Sequence, residues 1–540
     1  MKQPLEFYKD CRDRSKLPDD VESLKDIIVY QWEVIDTLKA EFQEYRQKTD
    51  RLIDQLTKKI ESLDHQVSAL KRNRFGQRSE KNKNKPSSSS STKEDAPKSK
   101  TRKKGANQNH PGRRPLPEHL KRVQVKYDLK AEEKICSDCN ALLTPIKNLV
   151  TEQLDIIPAQ LIVKQHVRAQ YACRKCYGVI KTADMPAQPI DKGRASAELL
   201  AHLIVEKFDY YMPCYRLERW FKREGVAISR STMIGWLYKA EFLLRPLVEL
   251  QTKELIACGH IFSDDTTMPT LAPGEGKTKT GRLWVYTQRP TKTHGGFTVY
   301  EYTPTREGKY PEAFLKGFKG YLQIDAYAGY NGVLAANDEG KVECIEVGCW
   351  AHTRRNFVEI VALHPESVAQ EVLDLIGKLY DVERIAKEKK MTDSGRRGFR
   401  KKKSKPILKK IYNWLHYHQE IVVPKSPLGK AIAYALNNWI ALTRFLGDGR
   451  LEIDNNRSER KMKPAVMGRK NHLFVGGQQG GEMLAIFYSV IETCRENCVN
   501  PVTYLADVLA RIPTHPNKRI EELLPHNWKK LREQQTSAAA

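Results

Sequence analysis

No segment of the sequence is long and apolar enough to predict a membrane helix. A helix that crosses a bilayer needs a run of about 18 or more apolar residues, and no such run occurs in the chain. The opening segment, MKQPLEFYKDCRDRSK, lacks the apolar stretch of a signal peptide. The cysteine count is eleven, an odd number that suits free thiols better than a disulfide framework. We therefore expect a cytoplasmic protein with reduced cysteines.

Acidic residues are too few to balance the basic ones. The chain of 540 residues has 92 Lys and Arg against 66 Asp and Glu, which gives a formal net charge of +26. Such an excess favours a polyanionic partner, because Lys and Arg that bind phosphates release the counterions of nucleic acid. The plainer alternative is a basic surface that serves only solubility. At this length we expect several domains.

Apolar residues recur every seven positions across residues 21–72, beginning with Val21, Ile28, Ile35 and Phe42. A second apolar seam starts at Leu24. This spacing predicts a helix that self-associates as a coiled coil over residues 21–78, most simply as a dimer. The alternative is a helix that packs on its own chain. Residues 79–113 contain almost no large apolar side chain, so we expect a disordered basic linker there.

Two CxxC pairs follow the linker. They are Cys136 with Cys139, and Cys173 with Cys176, and the segment between them alternates like β-strands. Four thiolates in two such pairs can surround Zn²⁺ tetrahedrally. We predict a zinc-ribbon-like domain over residues 114–190, although the spacing between the pairs is longer than in most zinc sites. A redox role is less favoured, because no thioredoxin-like pattern surrounds the pairs.

Residues 191–256 read as helices joined by short turns. The segments CYRLERWFKREG and SRSTMIGWLYKAEFLL, separated by GVAIS, are similar to a helix-turn-helix. Arg230, Ser231 and Thr232 would then lie at the start of a recognition helix, where base contacts are made. Any helical hairpin can produce the same pattern, and that alternative stays open.

From His260 the pattern changes to strands. HIFSDDT, GRLWVYTQ and GFTVYEYTP are followed by a helix, a strand at YLQIDAY, a short helix, and a strand at VECIEVGCWAH. This is the order of a ribonuclease H-like α/β domain, in which the first and fourth strands can be neighbours. We assign residues 257–359 and 451–510 to this catalytic core, 360–450 to an inserted helical domain, and 511–540 to a tail. The fold class predicted for the whole chain is multidomain α+β.

Three acidic residues in this core could form one metal site. Asp264 and Asp325 end strand-like runs, and Glu459 opens a later basic helix. Carboxylates in a DNA-binding protein suggest catalysis with Mg²⁺ or Mn²⁺, because a divalent cation removes their repulsion of phosphate. Asp265 is an alternative to Asp264, and strand alternation allows only one of them to face the site. Glu492 is an alternative third ligand.

Basic residues near these acids are candidates for phosphate contacts. Those in the core are Lys277, Lys279, Arg460, Arg469 and Lys470. The segment APGEGKTKTG is not a P-loop, because position 271 is leucine where glycine is required. A basic run from Arg396 to Lys410 in the insertion could contact DNA or could form a solvated face.

Several long motifs resemble the large transposase of the insertion-sequence-66 type. They include FGQRSEK, HPGRRPLPEHLKRV, SDDTTMPTLAPGEGKTKTGRLWVY, QIDAYAGYNGVL, CWAHTRRNF, DNNRSERKMKPAVMGRKNHLFVGG and IETCRENCVNPVTYL. The resemblance implies a bacterial DDE transposase of ribonuclease H-like fold, with a zinc segment and small helper proteins. Its catalytic acids would fall on Asp264, Asp325 and Glu459. His352, Arg354 and Asn455 match further motif positions near the site.

The sequence therefore predicts a nucleoid-associated enzyme that binds the terminal inverted repeats of its element. It would cleave their 3′ ends with a divalent metal and join them to target DNA. Two alternatives are a noncatalytic DNA-binding regulator and a ribonuclease H-like nuclease that does not join ends.

Overall fold

A computed structural model describes residues 20–75, 160–172, 180–336 and 340–539. Linker residues 79–113 and all four CxxC cysteines, Cys136, Cys139, Cys173 and Cys176, lie outside these described residues. The chain divides into two units, one of residues 1–78 with 184–540 and the other of residues 79–183. In the second unit, β1 (Gln170–Ala172) pairs in antiparallel fashion with β2 (Ile180–Thr182).

The N-terminal segment is one helix, α1 (Val21–Phe75), as the heptad spacing predicts. The side chains of Ile28, Phe42 and Tyr45 are 53%, 66% and 70% exposed. These side chains of the predicted apolar seam therefore face solvent in the single chain, and the pairing of α1 with a second helix stays a prediction. In the part of the chain that the structure describes, no helix is long and apolar enough to cross a membrane.

A five-stranded mixed sheet forms the centre of the larger unit, in the order β5-β4-β3-β6-β7. Strand β4 runs antiparallel to both β3 and β5, while β6 runs parallel to both β3 and β7. Each strand falls where the sequence predicts one, and the expected pairing of the first and fourth strands is confirmed. Their bounds are β3 (His260–Thr270), β4 (Lys279–Gln288), β5 (Thr298–Thr303), β6 (Gly320–Gln323) and β7 (Cys344–Val347).

The strands are buried on both faces near the middle of the sheet. Trp284, Val285 and Tyr286 are consecutive residues of β4 with no exposed surface. Strands covered on both sides read as continuous apolar runs rather than alternating ones. Much of the cover comes from α12 (Asn456–His472), which packs on β3 and β4, and α13 (Gln478–Glu496), which packs on β5. Short helices α5 (Lys309–Phe314) and α6 (Asn331–Leu334) connect β5, β6 and β7.

The helices predicted before the sheet are present. They are α2 (Ala197–Phe208), α3 (Cys214–Arg223) and α4 (Arg230–Ile256), and the last two correspond to the predicted pair joined by GVAIS. The Ser229 hydroxyl accepts a hydrogen bond from the Thr232 amide at 3.1 Å and so caps α4. However, α2 packs on α14 (Pro501–Arg511) and α4 packs on α13, so these helices belong to the same unit as the sheet.

Five helices follow the last strand and share an apolar core around Trp350, Phe357 and Leu415. The expectation of a strand through VECIEVGCWAH is wrong at its end, because β7 stops at Val347 and a helix starts at Trp350. The five are α7 (Trp350–Leu363), α8 (Ala369–Glu388), α9 (Asp393–Ile421), α10 (Pro427–Asn437) and α11 (Trp439–Thr443). The last helix of the chain is α15 (Pro525–Ala539).

Candidate active site

Asp264 and Asp325 lie at one edge of the sheet because β3 and β6 are parallel neighbours. Their register pairs Phe262 with Gln323. Asp325 lies two positions after Gln323, the last residue of β6. If the same pairing is extended by two residues, Asp264 lies level with Asp325. Parallel strands thus place side by side two acids that are distant in sequence.

The charges of three acids act on one another at this edge. Burial and, after it, the nearby carboxylates of Asp325, Asp265 and Glu459 raise the pKa of Asp264 to about 7, against a smaller lowering by the hydrogen bond from the Asp265 amide. Like charges oppose ionisation when they are close in a poorly solvated place. Glu459, although it comes from a helix far along the chain, is therefore near enough for its charge to act on Asp264.

Glu459 stands in the first turn of α12, and Asn455 fixes where that helix begins. Asn455 is fully buried, and its side-chain amide donates to the Ser263 carbonyl at 2.7 Å. Since Ser263 directly precedes Asp264, this hydrogen bond joins the helix that carries Glu459 to the strand that carries Asp264. The motif residue Asn455 thus has a positioning contact that the sequence did not reveal.

A histidine and an arginine of α7 approach Glu459. The Oε1 atom of Glu459 lies 3.7 Å from His352 Nε2 and 3.6 Å from Arg355 Nη2. His352 was selected from the sequence, whereas Arg355 was missed in favour of Arg354. A helical reading of CWAHTRRNF would have found Arg355, because residues three apart share a helix face.

Asp265, the neighbour of Asp264 in the sequence, is bound by two arginines. Asp265 accepts hydrogen bonds from Arg282 Nη1 at 3.0 Å and from Arg306 Nη2 at 2.7 Å, and its side chain is 3% exposed. Alternation along β3 turns the two aspartates to opposite faces, as expected. Asp265 therefore serves an internal ion-pair cluster rather than the edge where Asp325 lies.

Glu492, the alternative third ligand, already forms ion pairs with residues of the protein. Glu492 on α13 lies 3.0 Å from Lys461 Nζ and pairs in addition with Arg495. Arg457 pairs with Glu496 at 2.7 Å, so it is not the partner of Glu459. Because Glu492 already binds two cations of the protein, Glu459 is the better placed of the two glutamates.

The turn after Asp325 is unusual in its backbone. Ala326 has a φ of 64°, a left-handed conformation that is uncommon for a residue other than glycine. Tyr327 stabilises the turn, since its amide donates to Asp325 Oδ1 at 3.3 Å and its ring lies 3.6 Å beneath the Arg306 guanidinium. Residues held in such conformations cluster at functional sites.

Within the described ranges, no three His, Cys, Asp or Glu side chains are already arranged to hold a metal ion. The residues nevertheless fit a divalent cation in chemistry. Carboxylate oxygens are the ligands that Mg²⁺ prefers, and Glu459 Oε1 is a buried oxygen that accepts no hydrogen bond. A cation would relieve the repulsion that raises the pKa of Asp264, so its binding would draw the three carboxylates together.

Seven of the eight residues selected for DNA contact are exposed. Two of them form ion pairs, Arg230 with Glu218 at 3.2 Å and Lys279 with Glu275 at 2.5 Å. The seven are Arg230, Ser231, Thr232, Lys277, Lys279, Arg460 and Lys470. Exposure leaves them accessible to a partner.

The eighth residue, Arg469, has an internal contact. Its Nη1 atom donates to Thr267 Oγ1 at 2.8 Å and also to the Thr267 carbonyl. Arg469 therefore attaches the end of α12 to β3, and this contact supports the position of Glu459 at the other end of the helix.

Comparison with known proteins identifies the relatives of this chain. The family described as "Transposase IS66 family" matches residues 192–483, and the "zinc-finger binding domain of transposase IS66" matches residues 133–177. The "IS66 C-terminal element" matches residues 489–526, and "Transposase C of IS166 homeodomain" matches residues 62–125.

Two relatives from Sinorhizobium fredii (strain NBRC 101917 / NGR234) cover most of the chain. Uncharacterized protein y4jD is 34% identical over 77% of this chain and 81% of its own length. Uncharacterized protein y4hP is 31% identical over 92% of this chain and 88% of its own length. With the main family match extending over more than half of the sequence, this chain belongs to the IS66 transposase family.

Proposed function

We propose that the protein is a DNA transposase of the DDE class with a ribonuclease H-like catalytic core, in which Asp264, Asp325 and Glu459 are the catalytic acids. The observation that carries the proposal is the parallel register of β3 with β6, which brings Asp264 level with Asp325 at the edge of the sheet where the charge of Glu459 also acts. The order of the sheet, with three antiparallel strands followed by two parallel ones, supports the ribonuclease H-like assignment.

The three acids would hold Mg²⁺ or Mn²⁺, which when bound supplies Lewis-acid activation of the phosphodiester and neutralises its charge. His352 and Arg355 lie beside Glu459, at 3.7 and 3.6 Å from its Oε1 atom, and would orient this carboxylate towards the metal. Asn455 and Arg469 hold α12 against β3 at two points. These contacts keep Glu459 in a fixed relation to Asp264.

The DNA would be the inverted repeats of the element and a target duplex. Exposed basic residues at the start of α4, in the loop before β4 and on α12 would contact phosphates, which favour Lys and Arg. Such a protein would act on chromosomal DNA, and small proteins of the same element could assist it. A noncatalytic regulator would bind the same DNA without needing the acids, and a simple nuclease would cut without joining.

The test is strand cleavage of a labelled duplex that ends in the inverted repeat of the element. With Mg²⁺ we expect free 3′-hydroxyl ends and then products joined to a second duplex, and with EDTA neither. Tight binding without any cleavage in Mg²⁺ or Mn²⁺, with the element's other proteins added, would favour the regulator. Cleavage without joined products would favour the nuclease.

Self-association through α1 is a further part of the proposal. Replacing Ile35 and Phe42 with aspartate should reduce the oligomer seen in sedimentation equilibrium, because charge in an apolar seam prevents helix pairing. Val29 and Ala40 are described residues outside that seam, so the same change at those two positions is the matched control. An unchanged mass after the Ile35 and Phe42 changes would contradict the coiled coil.

Zinc is proposed for the CxxC pairs, which fall within the zinc-finger match at residues 133–177. We expect about one Zn²⁺ per chain by elemental analysis. Serine at Cys136 and Cys173 should release it, while serine at the exposed Cys498 should not. Zinc-free wild-type protein that binds DNA normally would contradict a structural zinc site.

A further inference from the structure

One face of α9 carries a dense and unpaired positive charge. Seven basic residues between positions 397 and 410 are exposed, and α9 has no acidic residue between Asp393 and Glu420. In the described parts of the chain, none of the seven has an ion-pair partner. They are Arg397, Lys401, Lys402, Lys403, Lys405, Lys409 and Lys410.

On the opposite face of α9, the arginines form ion pairs with acidic residues. Arg396 lies 2.6 Å from Glu383 and 2.8 Å from Glu452, and Arg400 lies 2.7 Å from Glu383. Leu408, Ile411 and Leu415 continue this face and are buried. Internal cations of α9 are thus neutralised by acids, while the external ones face only solvent.

Concentrated like charge destabilises a helix. Arg397, Lys401, Lys405 and Lys409 follow one another at intervals of four, so three like-charged pairs lie on adjacent turns. Like charges at this spacing destabilise a helix, whereas opposite charges stabilise it. A solubilising surface would intersperse acids among these lysines, whereas a polyanion bound to the face would remove the repulsion.

We propose that this face of α9, the residues from Arg397 to Lys410 that point to solvent, binds the phosphate backbone of duplex DNA without regard to sequence. The proposal deepens the transposase function and rests on it. Six of the seven residues are lysines, which bind phosphate as point charges, whereas base reading relies on planar arginine and amide groups. The face rises about 20 Å along the helix, long enough to follow several phosphates.

The buried contacts of α9 show how bound DNA would relate to the acids. Arg400 donates to the carbonyls of Phe445, Asp448 and Leu451, at 2.8, 3.1 and 2.8 Å. That segment continues directly into Asn455 and Glu459 of α12. A duplex on the outer face of α9 would therefore be held in a defined position relative to Glu459, as sequence-independent capture of target or flanking DNA requires.

The experiment compares two full-length variants with equal loss of charge. One has glutamine at four residues of the face, Lys401, Lys402, Lys405 and Lys409. The other has glutamine at four exposed lysines on other elements, Lys253, Lys316, Lys518 and Lys530. Binding is measured by fluorescence anisotropy as a function of salt, with a random-sequence duplex and with an inverted-repeat duplex.

Loss of four phosphate contacts should reduce the slope of log K against log salt by about 3 to 4 and weaken random-sequence binding roughly tenfold or more. The control variant should keep a slope near that of the wild type. Thermal unfolding should not occur at a lower temperature in either variant, because all the lysines are exposed, and the α9 variant also loses repulsion between like charges. A greater loss with random than with inverted-repeat DNA would assign the face to target capture, and an equal loss to DNA flanking the ends.

Equal slopes and affinities for the two variants would overturn the proposal. It would also be overturned if the four changes on α9 reduced binding to anionic phospholipid vesicles and left DNA binding intact. Failure of the transposase function would appear differently, as wild-type protein that never cleaves while the two variants still differ in their salt dependence.

Discussion

Replacing Asp264 with asparagine is expected to abolish Mg²⁺-dependent cleavage while leaving binding to the inverted-repeat duplex unchanged. Metal-assisted charge stabilisation contributes several kcal/mol to such reactions, and a loss of about 4 kcal/mol corresponds to roughly a thousandfold in rate. Asparagine has the shape of aspartate but lacks the charge that holds a divalent cation. Single-turnover cleavage and a gel-shift titration measure the two effects separately.

Stability provides the control for this variant. The pKa of Asp264 is raised to about 7 by burial and by the neighbouring carboxylates. The folded protein therefore binds a proton at Asp264 that the unfolded chain releases near pH 4. By linkage, metal-free protein loses stability as the pH rises from about 4 towards 7. The asparagine variant lacks this dependence, so in EDTA near pH 8 its unfolding temperature should be above that of the wild type.

Measurements of cleavage and of unfolding temperature should also distinguish Glu459 from Glu492. Glutamine at Glu459 should remove cleavage without lowering the unfolding temperature, because the Oε1 atom of Glu459 accepts no hydrogen bond. Glutamine at Glu492 should lower the unfolding temperature and preserve cleavage, because Lys461 and Arg495 lose a charged partner. Loss of cleavage only in the Glu492 variant, or a wild-type rate for the Asp264 variant, would contradict the assignment.

The strands of the sheet could be predicted from the sequence because a short continuous segment specifies each of them. Each strand is a short apolar run ended by turn residues, and alternation within β3 predicts that only one of Asp264 and Asp265 faces the site. The register of β3 with β6 then brings Asp325 beside Asp264, as the expected strand order allows. Glu459 could be selected because it opens a helix directly after the insertion.

The contacts that hold the site together could not be predicted in the same way. Asn455 reaches Ser263 from a position 192 residues later, and Arg469 reaches Thr267 from 202 residues later. No local pattern marks such partners. The start of α7 was missed for a different reason, since the apolar run of β7 continues into Cys349 and Trp350, which are buried in a helical start rather than a strand.

The basic run from Arg396 to Lys410 is visible in the sequence, but the different roles of its residues are not. From the sequence, Arg396 and Arg400 cannot be distinguished from the lysines that follow them. Their acidic partners are Glu383, on the preceding helix, and, for Arg396, Glu452, 56 residues away. Only the fold shows that two residues of the run are structural and that the others are exposed.

Replacing Arg400 with methionine is expected to produce the largest loss of stability of any single change considered. Arg400 is 0% exposed, and its guanidinium donates to both oxygens of Glu383 and to three main-chain carbonyls. Removing one partner of a buried ion pair typically costs about 3–5 kcal/mol, because the other charge remains in a poorly solvated place. Urea unfolding measures the change, and methionine at the exposed Arg397 is the matched control.

A second substitution distinguishes the contribution of the charges from that of the packing. If Glu383 is also replaced, by leucine, the carboxylate that lost Arg400 is removed as well, and part of the lost stability should return. Recovery should be incomplete, since Arg396 then keeps only Glu452 as its partner and the carbonyls of Phe445, Asp448 and Leu451 still lack their donor. Equal unfolding midpoints for the Arg400 and Arg397 variants would contradict the structural role. Because the segment that Arg400 binds leads to Glu459, the Arg400 variant should also cleave more slowly at temperatures where it remains folded.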